Sequence, residues 1–293
     1  CLAVIMIHAS SIGAVYEGQG NYEYFINLLI NRGSTFAVPC FIALSGFVLF
    51  YRYAGTDFNS ETLSNFYKKR FFEIVIPFVG FSLFYTLFNY SFSEGASLQG
   101  LLSLLTSSGT YSKILLGKAH GHLYYFLIII QFYILFPIIN KYFKATKKMI
   151  LPLILLAAIV QFGFVYINVN VVTIPRTGSY AFSYFIYFVL GGILAIYRDT
   201  FIEFFDKRKV LFTSLSISLF SVFALTYTAY NYFIGTHGTK IYGIITGQFV
   251  GVFFVITAFT SIYSLSLMLM EGRHDFLKNI GKLSFGLYLI HPA

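Results

Sequence analysis

Apolar residues in this chain come in runs about as long as a membrane is thick, one after another, and that spacing decides what solvent surrounds it. The runs are 1–15, 35–53, 72–92, 123–140, 149–168, 179–197, 210–233, 241–267 and 283–293. At ~1.5 Å of rise per residue, about 20 residues cross a hydrocarbon layer roughly 30 Å thick. Only helices and closed barrels satisfy their backbone polar groups inside lipid, and long runs without two-residue alternation mean helices. Composition agrees: 57% of the residues are hydrophobic and 11% charged, against roughly 25% charged in a soluble domain. The expectation is an all-α, polytopic transmembrane helix bundle. Nine spans are visible, the first and last cut short, and the complete protein would hold about ten. Residues 1–293 read as a single integral membrane domain incomplete at both ends, because it begins at Cys1 and stops at Ala293 inside an apolar run.

Lysine and arginine set the expected orientation, since cytoplasmic loops carry an excess of both. With the start of the first span on the cytoplasmic side, the inner loops receive Arg52, Lys68, Lys69 and Arg70; Lys141, Lys144, Lys147 and Lys148; Arg198, Lys207, Arg208 and Lys209; and Arg273, Lys278 and Lys282. Only Arg32, Lys113, Lys118, Arg176 and Lys240 fall outside. The net charge of +9 is then a cytoplasmic rim on a multi-pass cell-membrane protein. The partner it implies is the lipid bilayer, with no need of nucleic acid. Cys1 and Cys40 lie in apolar runs without metal-ligand or disulfide spacing, so no metal is expected and Cys40 reads as a small buried filler. The first run is followed by the polar stretch from Glu17 to Asn21 with no small-residue cleavage site, so no cleavable signal is read there.

Two connections stand out. The inner stretch 54–71 predicts an amphipathic helix lying along the membrane surface, capped by Asn59 or Ser60, with Leu63, Phe66, Tyr67 and Arg70 at helical spacing. The outer stretch 93–122 is the longest loop. Its apolar patch (Leu98, Leu101, Leu102, Leu104, Leu105) predicts an ordered lid or shallow re-entrant helix, with Ser107, Ser108 and Gly109 as a flexible part. No internal repeat of the kind common in transporters is evident.

Ionisable groups within the spans are few: His8, Glu73 and His291. Each is costly in lipid and is a functional candidate on that ground. His8 lies ~12 Å below the outer surface by helical rise, and His291 at a comparable depth from the other side. Histidine suits proton transfer there, its ordinary pKa being ~6.5; the plainer role is a hydrogen bond between helices. Glu73 follows Arg70 by three residues and can pair with it. His122 stands at the outer entrance of the fourth run, where an external acceptor would arrive. The cluster Lys68, Lys69, Arg70 reads as an inner-leaflet anchor or as a clamp for the phosphates of a nucleotide-bearing thioester.

Taken together these segments resemble the membrane-bound acyltransferase-3 family of bacterial O-acyltransferases. The likeness is carried by His8; by the second-run segment Val38 to Leu49 with its Leu44-Ser45-Gly46-Phe47; by Phe66-Tyr67-Lys68-Lys69-Arg70 running into Ile76-Pro77; by Gly121-His122-Leu123-Tyr124-Tyr125-Phe126; and by Gly281-Lys282-Leu283-Ser284 through Tyr288-Leu289-Ile290-His291-Pro292. Within the family it is most similar to the intercellular-adhesion polysaccharide branch, which modifies or exports poly-N-acetylglucosamine. The chain departs in two places: Glu73 stands where a second arginine is common, and Tyr124 replaces a tryptophan. A family arginine upstream of the first-span histidine falls before residue 1.

The resemblance implies transfer of an acyl group, taken to be acetyl, from cytosolic acyl-coenzyme A to a hydroxyl of an envelope or extracellular carbohydrate. No permanent cofactor is expected, acetyl-coenzyme A being a donor substrate. Lys68, Lys69 and Arg70 would hold the donor. His8, His291 and His122 are the catalytic candidates, His8 acting as general base or as transient acyl carrier. Ser45, Tyr124, Ser284 and Tyr288 are the substrate-binding candidates, with Ser45 and Gly46 allowing close helix approach around a polar cavity. The rival readings are a polysaccharide exporter or flippase without acyl chemistry, and a structural scaffold.

Overall fold

The computed structural model describes residues 2–16, 21–93, 97–142, 150–237, 241–270 and 275–290. Among these every regular element is helical. In chain order they are α1 (Leu2–Tyr16), α2 (Tyr22–Ser34), α3 (Ala37–Tyr53), α4 (Ser60–Arg70), α5 (Ile76–Ser91), α6 (Leu98–Thr106), α7 (Ser108–Leu115) and α8 (Tyr124–Tyr142). Then follow α9 (Ile150–Asn170), α10 (Phe185–Ile196), α11 (Arg198–Asp206), α12 (Lys209–His237), α13 (Ile241–Met270) and α14 (Asp275–Ile290). Six continuous helices are long and apolar enough to cross a membrane: Tyr22–Tyr53, Ser60–Ser91, Gly121–Lys141, Ile150–Asn170, Lys209–Phe233 and Gly247–Leu269. A seventh is a pair, Ala181–Ile196 and Arg198–Asp206, bent by 75°. The nine expected spans thus reduce to six or seven among the described residues, because α1 and α14 have only 15 and 16 residues.

Two boundaries differ from the expectation. Residues 22–34 are not an outer loop: α2 runs on into α3 as one 32-residue helix and folds back along α1, where Asn31 Nδ2 donates to the Ile7 carbonyl at 2.9 Å. Nor does α4 lie apart along the surface. It continues into α5 through a π-helical turn, Phe71–Val75, forming the helix Ser60–Ser91. Pro77 explains that turn. It has no N–H for the carbonyl four residues back and its ring crowds that group, which a locally wider turn relieves. Asn59 caps the start as expected, its Oδ1 accepting from Thr62 N at 2.8 Å.

The chain forms two compact units. The first holds Cys1–Arg52, Leu151–Thr173 and Tyr184–Pro292. A ladder of rings joins α12 to α13, Phe220 and Tyr227 stacking on the buried Phe254 and Phe223 on the exposed Phe253. In the same unit α3 and α10 come into near backbone contact, since a Cβ on Gly46 would overlap the Phe188 carbonyl and one on Gly191 the Ala43 carbonyl. Close approach through small residues is how helices associate where lipid supplies no hydrophobic drive. The start of α10 is held by Gln161 of α9, whose Oε1 accepts from Ile186 N at 3.1 Å.

The second unit holds Tyr53–Ile150 and Ile174–Ser183. Rings of Tyr53, Phe58, Phe66 and Phe136 meet in its core. Gln131 of α8 binds the irregular segment 177–181 twice, donating to the Ser179 carbonyl and accepting from Ala181 N. In the stretch 93–122 the expected order is present as α6 and α7. The part expected to be flexible is instead a helix start, because Ser107 Oγ accepts from Gly109 N at 3.2 Å.

Gly46→Leu forces α3 from α10 and lowers stability by about 1–3 kcal/mol or more, whereas Gly80→Leu, where an added Cβ meets nothing within 4 Å, stays within about 0.5 kcal/mol. Thermal melting of the two purified variants in detergent measures the difference.

Candidate functional site

Three groups of candidate residues are found in the structure. The first is the basic cluster at the end of α4, and its members are not equivalent. Arg70 is buried, with its guanidinium 4.9 Å from the Phe66 ring centre, 5.2 Å from Tyr133 and 5.8 Å from Tyr53. Helical spacing puts Glu73 within 3.6 Å of both Arg70 Nη1 and Lys69 Nζ. The pairing expected between Arg70 and Glu73 is therefore present, and Lys69 shares it. Lys68 alone of the three is exposed, Lys69 being half-buried. An anion arriving at this surface meets Lys68 directly and must displace the Glu73 carboxylate to use Lys69, while Arg70 is held against three rings.

The second group lies beside the α5–α8 connection. The 3₁₀ turn Gly121–Leu123 leads into α8 and buries His122, which is 2% exposed. His122 Nδ1 lies 3.0 Å from His120 Nδ1. A bond between two such nitrogens needs one to carry hydrogen and the other a lone pair, so the pair holds one proton between its rings. Tyr85 of α5 packs on both, its ring centre 4.5 Å from His120 and 5.2 Å from His122. Sequence reading singled out His122 and passed over His120 and Tyr85. The alternation His120-Gly121-His122 was a usable signal for the pair, but Tyr85, some 35 positions earlier, had none. Tyr124, two residues after His122, is half-buried.

The third group is in the first unit. His8 is on an exposed face of α1, and its carbonyl accepts from Ser11 Oγ at 2.7 Å. Ser45 is half-buried and donates to the Phe41 carbonyl one turn back. Tyr288 of α14 is buried and stands edge-on to Phe41, with ring centres 6.4 Å apart. Phe41 thus joins the Ser45 turn to Tyr288. Ser284, one turn before Tyr288, donates to the Gly281 carbonyl. His291 lies outside the described residues. Near Phe41 is a cavity of about 300 Å³ lined by Ala3, Cys40, Phe41, Leu44, Phe47 and Tyr263 among others. Its lining is largely apolar, and His8 is not part of it.

An all-helical fold with several membrane-length apolar helices, a histidine on α1 and a basic cluster at the end of α4 carries the resemblance drawn above, and comparison with family models decides it. The model described as "Acyltransferase domain", of the acyltransferase-3 family, matches residues 1–293. The chain belongs to the acyltransferase-3 family. It is a multi-pass membrane acyltransferase, transferring groups other than aminoacyl groups. No curated protein and no solved structure matches it.

The ring cage makes Arg70 a structural cation as well as a charged one. Arg70→Ala lowers stability by about 1–2 kcal/mol, the scale of a desolvated cation–ring contact, whereas Lys68→Ala changes it by less than about 0.5 kcal/mol. Parallel melting curves check this.

Proposed function

We propose that this acyltransferase takes an acetyl group from acetyl-coenzyme A on the cytoplasmic side and attaches it to a hydroxyl of an envelope polysaccharide. The family supplies the reaction class. The observation that carries the donor is the exposed Lys68 beside Lys69, cations suited to phosphate oxygens. Glu73 tempers that clamp and is displaced from Lys69 when the donor binds. The distribution of lysine and arginine supports a cytoplasmic start for the first span, and with it a position for Lys68 on the donor side.

His8 is assigned the role of general base. Imidazole is the side chain best matched to removing a hydroxyl proton near neutral pH, and the exposed face on which it lies leaves it reachable. His122 and His120 are assigned to acceptor binding and proton exchange near the entrance of α8, with Tyr124 as an aromatic surface for a sugar ring. Ser45, Ser284 and Tyr288 border the acyl-bearing part of the site. The acceptor is proposed to be a poly-N-acetylglucosamine-type glycan, on the likeness of the five motifs to that branch of the family.

In purified protein, His8→Ala removes glycan-dependent thiol release from acetyl-coenzyme A, by about 100-fold or more, while the variant still inserts and melts like the parent. Undiminished release in that variant contradicts the role given to His8. Translocation of glycan into sealed vesicles with no thiol release contradicts the transferase reading and favours an exporter.

A further inference from the structure

Arg32 belongs to none of the three groups of candidate residues. It lies ten residues into the helix Tyr22–Tyr53, about 15 Å along it. Its Nε is buried without a hydrogen-bond partner, and among the described residues no carboxylate pairs with it. Glu23, the acidic residue of the same helix, is nine positions earlier and so on the opposite side of the helix. Arg32 thus lies in the more polar first half of a membrane-length helix, and a cation partly buried there with no carboxylate on it among the described residues is a functional candidate.

Its position gives it a neighbour. The Asn31–Ile7 hydrogen bond and the seat of Gly13 against Asn27 fix α1 and α2 as antiparallel, with residue 7 level with residue 31. On an antiparallel pair, one step forward on each helix from a facing position turns both side chains to the same side of the hairpin. His8 and Arg32 are those two residues. A base and a cation that no carboxylate among the described residues pairs with therefore stand at one level of one hairpin.

The kind of anion follows from charge. Arg32 is the only lysine or arginine between residues 1 and 51, so this hairpin offers one positive charge. Diphosphate recognition calls for several. A single guanidinium suits a single negative charge that appears transiently on one oxygen.

We propose that Arg32 is a catalytic residue that binds the carbonyl oxygen of the acyl group and stabilises the charge developing there. The proposal rests on the acyl-transfer reading. The acceptor hydroxyl oxygen attacks the thioester carbonyl carbon as its proton passes to the His8 imidazole. The carbon–oxygen double-bond electrons move onto oxygen, against the Arg32 guanidinium. When the carbonyl re-forms, the carbon–sulfur bond breaks and the departing thiolate takes the proton from His8. The products are the ester and free coenzyme A. Hydrogen bonds aimed at a developing oxyanion act on the transition state more than on bound substrate.

The test is thiol release by the purified full chain with acetyl-coenzyme A and poly-N-acetylglucosamine, comparing the parent with Arg32→Gln and Arg32→Lys. Arg32→Gln is expected to lower kcat by about 100- to 1,000-fold with KM for the donor changed less than about twofold, and Arg32→Lys to recover part of the loss. Melting curves confirm that both are folded, and if Arg32→Gln is not, Arg32→Lys decides, full parental kcat in it overturning the proposal. Unchanged kcat in folded Arg32→Gln, with melting sensitive to anionic lipid, makes Arg32 a headgroup anchor and overturns it. A raised KM with parental kcat makes it a ground-state phosphate contact and overturns it as well. A parent enzyme inactive on every glycan overturns the acyl-transfer reading itself, whereas a working parent with an unaffected Arg32→Gln overturns this inference alone.

Discussion

Hydrocarbon offers no hydrogen bonds, so every polar group of the backbone must find a partner within the protein. That constraint explains the all-helical fold, and it explains the few side chains that interrupt the apolar runs. Where the chain leaves regular helix between α9 and α10, glutamines take over the pairing: Gln131 holds Ser179 and Ala181, and Gln161 holds Ile186. Where Pro77 removes a donor, the helix widens instead of ending. Near Pro137 of α8 the Ile134 carbonyl accepts the Tyr67 hydroxyl at 3.2 Å. Polar side chains in the spans therefore divide into those that complete the backbone and those left with other work.

The same division sorts the candidate residues. Ser45 and Ser284 donate to carbonyls of their own helices, which lets a hydroxyl sit in a span cheaply and leaves its oxygen able to accept. Arg70 is screened by rings and by Glu73, so it serves packing as well as charge. Among the described residues no carboxylate pairs with Lys68 or Arg32. The His120–His122 pair joins a half-buried ring to a buried one through a single hydrogen bond. An acyltransferase needs anion binding at the donor, a base at the acceptor hydroxyl and charge stabilisation at the carbonyl, and these residues are of the types that provide them.

Much of this was readable beforehand, because the membrane imposes a periodicity that composition alone reveals. Seven of the nine expected spans correspond to membrane-length helices, one of them a bent pair, and Asn59 capping and the Arg70–Glu73 pair followed from spacing. What escaped was continuity and register. A polar stretch such as Tyr22-Glu23-Tyr24 looks like loop by hydropathy, yet α2 is stabilised by packing on α1 and on Tyr232 of α12. The amphipathic pattern of α4 is equally suited to a surface helix and to the protruding end of a span. Arg32 was consequently assigned to an outer loop, and only the bond from Asn31 to Ile7 shows it level with His8. Tyr85 came to the histidine pair through tertiary packing, which leaves no local mark.

The central claim is that an acyl group given up on one side of the membrane arrives on a glycan at the other. Proteoliposomes of one orientation, with poly-N-acetylglucosamine sealed inside and acetyl-labelled coenzyme A added only outside, test it most directly. The account predicts label on the enclosed glycan when the exposed face is the one bearing Lys68, and none for the opposite orientation. Label only on glycan that shares the donor's compartment, or glycan that crosses without acquiring label, would contradict it.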